Sequence, residues 1–329
     1  MRFEHDSVTG SGTAQAAYLL ASLCMVPMLA VADAAAVSDD DDGPCTRTAE
    51  VAFVACGHEV SDDYFLTLAK CANESDDAGR QRCNRVAGIT RDEAREECFA
   101  VREARDDFCD DFGQGRYDPV IDPAQFVDPG AIGGAVAPNP YFPLVPGSRW
   151  TYVDGDGTAV VHVTGETREI LGVTCAVVRD TVVEDGERVE DTDDYFAQDM
   201  LGNVWYFGEI SQNFEDGELV DIEGSWLAGE ELAKPGIAFE AAPQVGDFYR
   251  QEFALGEAED AAEVLSTTAS ATVPAASCNG SCVLTEDFNL LEPDSLENKY
   301  YAPGVGFILE TDPETGERSV ELIDYQIGE

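Results

Sequence analysis

The chain has 329 residues, with 66 Asp or Glu against 19 Lys or Arg, so its formal net charge at neutral pH is −47. A surface this anionic repels nucleic-acid phosphates and anionic membrane surfaces, because both require clustered Lys and Arg for binding. Since 44% of the residues are hydrophobic, the chain can bury a core, which excludes a wholly disordered protein. The favoured partners are cations, basic peptides or neutral small molecules.

The first 36 residues are predicted to be a signal peptide or an N-terminal anchor. Residues 16–32 form an apolar run, and small residues of the Ala-x-Ala type follow at Ala32 and Ala34. The run is short for a membrane span, so cleavage is the prediction and retention as an anchor is the alternative. Lipidation at Cys24 is a further alternative.

Six cysteines in the next segment are spaced symmetrically, with intervals of 11, 15, 12, 15 and 11 residues. In an α-helix, steps of 11 and 15 residues make about three and four turns, so the cysteines of each half lie along one stripe. If the chain reverses near residues 75–79, cysteines equidistant from the turn face each other across an antiparallel helical hairpin. The spacing predicts three nested disulfides, Cys45–Cys109, Cys56–Cys98 and Cys71–Cys83.

Two features of the sequence bear on this helical hairpin: a glycine in each arm and the spacing of the cysteines. Gly57 and Gly88 leave open a break of each arm into two shorter helices. The cysteine spacings lack the close C-x2-C pairs of zinc sites, so the sulfur atoms are predicted to form disulfides and not a metal site. Three bridges would compensate for the small core of a two-helix unit.

Composition divides the chain into five predicted segments. The segment after the cysteines is rich in Pro and Gly, as in a linker, and a change to alternating apolar and polar residues follows. The predicted segments are the signal peptide or anchor (1–36), an acidic mature terminus (37–44), the helical hairpin (45–112), the linker (113–138) and an antiparallel β-domain (139–329).

The β-domain is predicted from short alternating stretches such as RWTYV, TAVVHVTGE and NVWYFGE. Turn dipeptides, among them Asp185-Gly186 and Asp216-Gly217, place consecutive strands in antiparallel hairpins. The predicted fold class is therefore α+β, with a helical hairpin followed by a β-meander closed into a barrel, half-barrel or sandwich. Residues 257–265 (EAEDAAEVL) are expected to form a short helix.

Several motifs of the β-domain carry a resemblance. They are NPYFPLVPGSRWTY (139–152), VWYFGE (204–209), GSWLAG (224–229), KPGI (234–237), VGDFYRQEF (245–253) and KYYAPGVG (299–306). This pattern resembles a recurring domain of secreted bacterial proteins and lipoproteins that has no established activity. The acidic, lysine-poor composition is similar to that of proteins from marine or salt-tolerant organisms. The resemblance implies export but no mechanism, because the repeated positions are aromatic, Pro and Gly residues.

Three cysteines lie downstream of the symmetric cluster. A bridge between Cys175 and Cys282 is expected, because it would fasten the strand that holds Cys175, and it would leave Cys278 unpaired. The alternative is a bridge between Cys278 and Cys282 around the loop CNGSC, which would leave Cys175 free.

No catalytic residue is assigned from the sequence. His58 and His162 are the histidines outside the signal segment, and no nucleophile elbow, Walker loop or dinucleotide motif occurs. Carboxylates are so abundant that a pair suited to glycoside hydrolysis cannot be picked out. The best local calcium candidate is residues 154–157 (DGDG), but it lacks the Gly and Glu of an EF-hand loop and is predicted to be a hairpin turn.

A set of aromatic and basic residues is predicted to line a ligand pocket on the inward face of the β-domain, and the alternative is that they belong to the core and its ion pairs. They are Trp150, Tyr206, Trp226, Arg250, Lys299 and Tyr300. The predicted function is a secreted or cell-surface, non-enzymatic module that binds a small molecule or a protein. The alternatives are an extracellular hydrolase with paired carboxylates and a calcium-dependent surface module. No cofactor is expected, and calcium is the alternative.

Overall fold

Two helices precede fifteen strands in the computed structural model, which describes residues 43–155 and 157–328. The predicted signal peptide, Cys24 and the acidic terminus up to residue 42 lie outside the described residues. Helix α1 spans Pro44–Cys71, α2 spans Asp77–Phe112, and two short 3-10 helices span Pro123–Gln125 and Pro129–Ala131. None of the described helices has the length and apolar character of a membrane span.

The strands are β1 (Arg149–Asp154), β2 (Gly157–Ile170), β3 (Val173–Glu184), β4 (Glu187–Gln198), β5 (Val204–Glu215), β6 (Glu218–Asp221), β7 (Trp226–Leu227), β8 (Lys234–Phe239), β9 (Phe248–Arg250), β10 (Glu252–Phe253), β11 (Asp260–Thr272), β12 (Ser277–Asn289), β13 (Glu292–Ala302), β14 (Gly306–Thr311) and β15 (Arg318–Gln326). The predicted fold class, a helical hairpin followed by an antiparallel β-meander, is confirmed.

The helical hairpin is held by the three nested disulfides that the spacing predicts. Cys45–Cys109, Cys56–Cys98 and Cys71–Cys83 join α1 to α2, with Cα–Cα distances of 5.7, 5.9 and 5.5 Å. The Asp76 side chain caps α2 by accepting hydrogen bonds from the backbone N–H groups at its start. Both helices continue through Gly57 and Gly88, so each arm is a single helix.

All the strands belong to one antiparallel sheet, in the order β10-β8-β5-β4-β3-β2-β1-β15-β14-β13-β12-β11-β9, with β6 and β7 paired to β5. Strands β9 and β10 stand at opposite ends of this order although they are consecutive in the chain. The sheet therefore curls until its edges almost meet, and the result is close to a barrel. Gly236 on β8 allows this closure, since a Cβ atom there would overlap the Gln251 carbonyl group.

Helix α2 packs on the sheet through a buried ion pair. The Arg105 guanidinium donates hydrogen bonds to both carboxylate oxygens of Glu259, with Nε 2.9 Å from Oε2. These side chains are only 9% and 1% exposed. Arg250 lies beside this pair, with its guanidinium carbon 4.0 Å from the Phe108 ring centre and 4.7 Å from that of Phe253.

The expectation of a helix at residues 257–265 is wrong. This segment enters β11, where Ala261, Ala262 and Val264 are fully buried. Ala261 packs beneath Phe108 of α2, and β11 pairs with β9 and β12. Pairing on both edges and small side chains under the helix outweigh the local helical propensity of Ala and Glu.

The expected Cys175–Cys282 bridge is also wrong. Cys278 and Cys282 form a bridge within β12, and Cys175 is free and buried in β3. Five strands separate β3 from β12 in the sheet, whereas Cys278 and Cys282 lie close together on one strand. Burial raises the pKa of the Cys175 thiol to about 12, so this thiol is not a reactive nucleophile.

Removal of one partner of the buried ion pair should destabilise the protein strongly. We expect Arg105→Met to lower the free energy of unfolding by about 3 kcal/mol, because the buried Glu259 then loses the guanidinium that donates to both of its carboxylate oxygens. The double variant Arg105→Met/Glu259→Gln should regain most of this loss in chemical denaturation. The control Arg82→Met removes an exposed arginine of the same helix and should have little effect. Equal stabilities of the single and double variants would contradict this account.

Candidate functional site

The inner face of the curled sheet borders a cavity of about 360 Å³. This volume lies within the range of about 300–1,000 Å³ that is typical of small-molecule sites. Strands β1–β4 and β13–β15 and the segment before β1 form its wall. Apolar side chains predominate, and the aromatic members are Tyr141, Phe142, Trp150, Tyr152, Phe196, Tyr301 and Phe307.

Two aromatic residues of β1 are fixed in the wall by hydrogen bonds. The Trp150 indole N–H donates to the Val305 carbonyl oxygen at 2.8 Å, and the Tyr152 hydroxyl donates to the Phe307 carbonyl oxygen at 3.1 Å. Their polar atoms are thus occupied within the protein. What these residues offer to a ligand is aromatic ring surface.

Carboxyl groups interrupt this apolar wall. Asp180 lies between Val178 and Val182 on β3, and all three side chains line the cavity because alternate residues of a strand share a face. Asp154 on β1 and Asp194 on β4 line it as well. One side of the cavity is therefore both apolar and acidic.

Asp180 stands out because its Oδ1 atom is buried and has no hydrogen-bond partner in the protein. Burial, together with the nearby carboxylates of Glu190, Asp154 and Asp191, raises the pKa of Asp180 to about 6, although a backbone hydrogen bond from Thr181 opposes this rise. A carboxylate accepts hydrogen bonds but cannot donate them. Above this pKa, Asp180 is therefore an anion in the cavity wall with one unused acceptor atom.

Asp194 belongs to a chain of buried acids. The Tyr206 hydroxyl lies 2.5 Å from Asp194 Oδ1 and 2.9 Å from Glu209 Oε2. A phenol hydroxyl donates only one hydrogen bond, so the second contact requires a protonated carboxyl group as the donor. Burial raises the pKa of Glu209 to about 7 and that of Asp194 well above its ordinary value. One proton is therefore held between these two carboxyl groups.

Lys299 lies on the opposite side of the cavity, among acids. Its Nζ atom is 2.9 Å from Glu297, 3.5 Å from Asp287 and 4.0 Å from Glu310. Burial lowers the pKa of Lys299, but Asp287 and Glu297 outweigh this effect and hold it well above the ordinary value. The ammonium group is charged, and carboxylates of the protein itself surround it.

The structure brings together some of the residues predicted to bind a ligand. Trp150 and Lys299 line the cavity, Tyr206 contacts the cavity residue Asp194, and the Trp226 ring lies edge-on to Tyr206 at 5.5 Å. Arg250 lies elsewhere, at the junction of α2 and the sheet. Tyr300 alternates with Lys299 and Tyr301 along β13 and packs against the core.

Sequence reasoning missed the acids of the cavity. The alternation of residues between the two faces of a strand could have indicated them. In the stretch CAVVRDTVVE, Asp180 occupies the same face as the apolar residues Val178 and Val182. With 66 acidic residues in the chain, one acid at an inward position was hidden among many at outward positions.

The calcium prediction gains no support from the described residues. They contain no group of three or more His, Cys, Asp or Glu side chains arranged to hold a metal ion. In the stretch DGDG, Asp154 and Gly157 pair as the last and first residues of β1 and β2, as predicted for a hairpin turn. Residue 156 lies outside the described part of the chain.

Comparisons with known proteins do not assign the chain to a family. No protein-family model, no curated protein and no solved structure matches it. The resemblance to a secreted bacterial β-domain therefore stays a prediction.

The buried acids should lower stability as the pH rises. Because the pKa of Glu209 is raised to about 7 from 4.5, the folded state binds a proton that the unfolded chain releases. The associated stability is present at acidic pH and is lost as the pH rises through 7. We expect Glu209→Gln to raise the thermal midpoint by a few degrees near pH 8, with a smaller gain near pH 5.

The matched control is Glu218→Gln, which changes an exposed acid of β6. It should leave the midpoint unchanged at both pH values. A gain from Glu209→Gln that is equal at both pH values, or a loss near pH 8, would contradict the proton shared with Asp194.

Proposed function

We propose that the curled sheet of this protein binds a small amphipathic molecule in its cavity. The observation that carries the proposal is Asp180, which lines an aromatic-walled cavity and whose buried Oδ1 atom has no hydrogen-bond partner in the protein. Apolar walls with a few placed polar groups are characteristic of small-molecule sites. The aromatic rings would contact the apolar part of the ligand, and Asp180 would accept a hydrogen bond from its polar part.

The energetic cost of these acids supports a binding role. A buried polar group without a partner costs stability, and an apolar side chain of similar size would be more favourable at Asp180. The acidic surface explains solubility, but Asp180 and Asp194 lie on the inner face of the sheet. Departures from the most stable sequence concentrate at functional sites.

The disulfides support a role outside the reducing cytosol. Four disulfides are present in the described residues, and disulfides persist mainly in oxidising compartments. We propose that the protein is exported, as the predicted signal peptide also indicates. The net charge of −47 would keep it hydrated and soluble in salt.

Filling the cavity should abolish binding. Ala159 of β2 lines the cavity, and Ala159→Phe would place a ring in its volume. The probe is the neutral dye N-phenyl-1-naphthylamine, whose fluorescence increases in an apolar site. We expect enhancement with the unaltered protein and at least a tenfold weaker response with Ala159→Phe.

The control is Val153→Phe, on the outward face of β1, where the side chain is 39% exposed. It adds a ring of the same size without filling the cavity, and it should leave the response intact. Thermal melting verifies that both variants are folded. Equal responses from Ala159→Phe and the unaltered protein would overturn the proposed site.

A hydrolase is the second candidate, and one observation favours it. Asp180 has a pKa of about 6, which suits a general acid, and Asp154 lines the same cavity as a second carboxylate. Under this alternative the protein hydrolyses nitrophenyl glycosides, and Asp180→Asn abolishes turnover without reducing probe binding. A lack of turnover by the unaltered protein across α- and β-linked substrates would contradict it.

A further inference from the structure

We propose that the ligand of this cavity carries a protonated amine, which binds Asp180 while the aromatic wall contacts its apolar body. This inference rests on the proposed function and specifies the chemical class of the ligand. It depends on the balance of charge around the cavity, on the hydrogen-bonding capacity of Asp180 and on the position of the aromatic rings.

The acidic side of the cavity lacks a compensating cation. Among the residues that the structure describes, no ion pair joins Asp154, Asp180 or Asp194 to an Arg or Lys. Arg179 is adjacent to Asp180 in the chain, but its guanidinium pairs with Asp193, 2.7 Å away. Alternation places Arg179 and Asp180 on opposite faces of β3. A ligand cation would supply the missing positive charge.

An anionic ligand would not find a free positive group. Lys299 has three carboxylates within 4.0 Å, so its charge is more than balanced by the protein itself. The net charge of −47 also raises the local concentration of cations and lowers that of anions. Both effects favour a cation over an anion in this cavity.

Asp180 is the carboxylate available to a ligand donor. Asp194 is occupied by the Tyr206 hydroxyl and shares a proton with Glu209. The Oδ1 atom of Asp180 has no such partner. An ammonium group has three N–H donors and a full positive charge, so it would satisfy this oxygen and offset its charge at once.

The aromatic residue Trp150 lies in the same cross-strand row of the sheet as Asp180. Trp150 pairs with Val161, and Val161 pairs with Asp180 on the next strand, so these side chains share the inner face. Tyr152 follows on the same face of β1. Aromatic ring faces attract a cation and contact its hydrocarbon portion, so they suit an aryl or alkyl amine.

A matched set of probes tests the charge preference. The probes are 4-phenylbutylamine, 4-phenylbutan-1-ol and 4-phenylbutyrate, which share an apolar body and differ in the charge of the end group. Binding is measured near pH 8 by ligand-observed NMR and by the fluorescence of the protein. We expect the amine to bind about tenfold more tightly than the alcohol, and the carboxylate to bind most weakly.

Two variants assign the preference to a residue. Asp180→Asn should bring the affinity for the amine to within about threefold of that for the alcohol and leave the affinity for the alcohol unchanged. The control Asp193→Asn neutralises an outward-facing acid of the neighbouring strand and should retain the preference. Persistence of the preference in Asp180→Asn would overturn the inference, as would tighter binding of the carboxylate.

Acidification provides a second readout. The preference for the amine should decline as the pH falls through about 6, because protonation removes the charge of Asp180. Asp154 on β1 and Glu190 and Asp194 on β4 share the inner face with Asp180, and Asp191 acts on it from the outer face of β4. Lys299 and Glu310 line the far side of the cavity. A preference that stays constant between about pH 8 and pH 5 would contradict this role of Asp180.

The outcomes separate the two proposals. If none of the three probes binds, the cavity is not a ligand site, and both the proposed function and this inference fail. If all three bind with equal affinity and Ala159→Phe blocks them, the cavity is a ligand site and only the preference for an amine is overturned.

Discussion

One constraint determines the structure: a long antiparallel sheet has to bury its own apolar face. Helix α2 packs on the opposite, outer face near β9, β11 and β13, through Arg105, Phe108 and Phe112. The inner face has to be buried by curling, and strands β8 to β11 bring the two edges together. A curled sheet encloses whatever its inward positions carry. In this chain those positions carry aromatic rings and also carboxyl groups, so the same curvature that makes the core creates an acidic cavity.

The local periodicity of the sequence predicts most of the fold. It fails where contacts between residues far apart in the chain determine the structure. The disulfide pairs follow from spacing alone, because a helix has a fixed rise and turn and a hairpin reflects one arm onto the other. The alternation of apolar and polar residues likewise predicts the strands. The segment 257–265 has the composition of a helix, but Ala261 is buried between two strands and beneath Phe108. The pairing of Cys278 with Cys282 depends on sheet order, which spacing does not specify.

The site was less predictable than the fold. Trp150 and Lys299 were found because aromatic residues and lysines are distinctive in an acidic chain. Asp180 and Asp194 were not, because only the strand register shows which acids face inward. Arg250 looked like a ligand-binding residue, yet it packs among aromatic rings at the helix–sheet junction. The type of a residue suggests what it can bind, but its partners in the fold decide whether that capacity is still available.

Native mass spectrometry of the protein purified from its own organism tests the central claim most directly. The cavity of about 360 Å³ should hold a small molecule, so the native mass should exceed that of the disulfide-bonded chain. The excess should disappear on denaturation, and the released molecule should contain a basic amine. A native mass equal to that of the bare chain, or an excess that persists in the Ala159→Phe variant, would contradict the assignment of this cavity as a binding site.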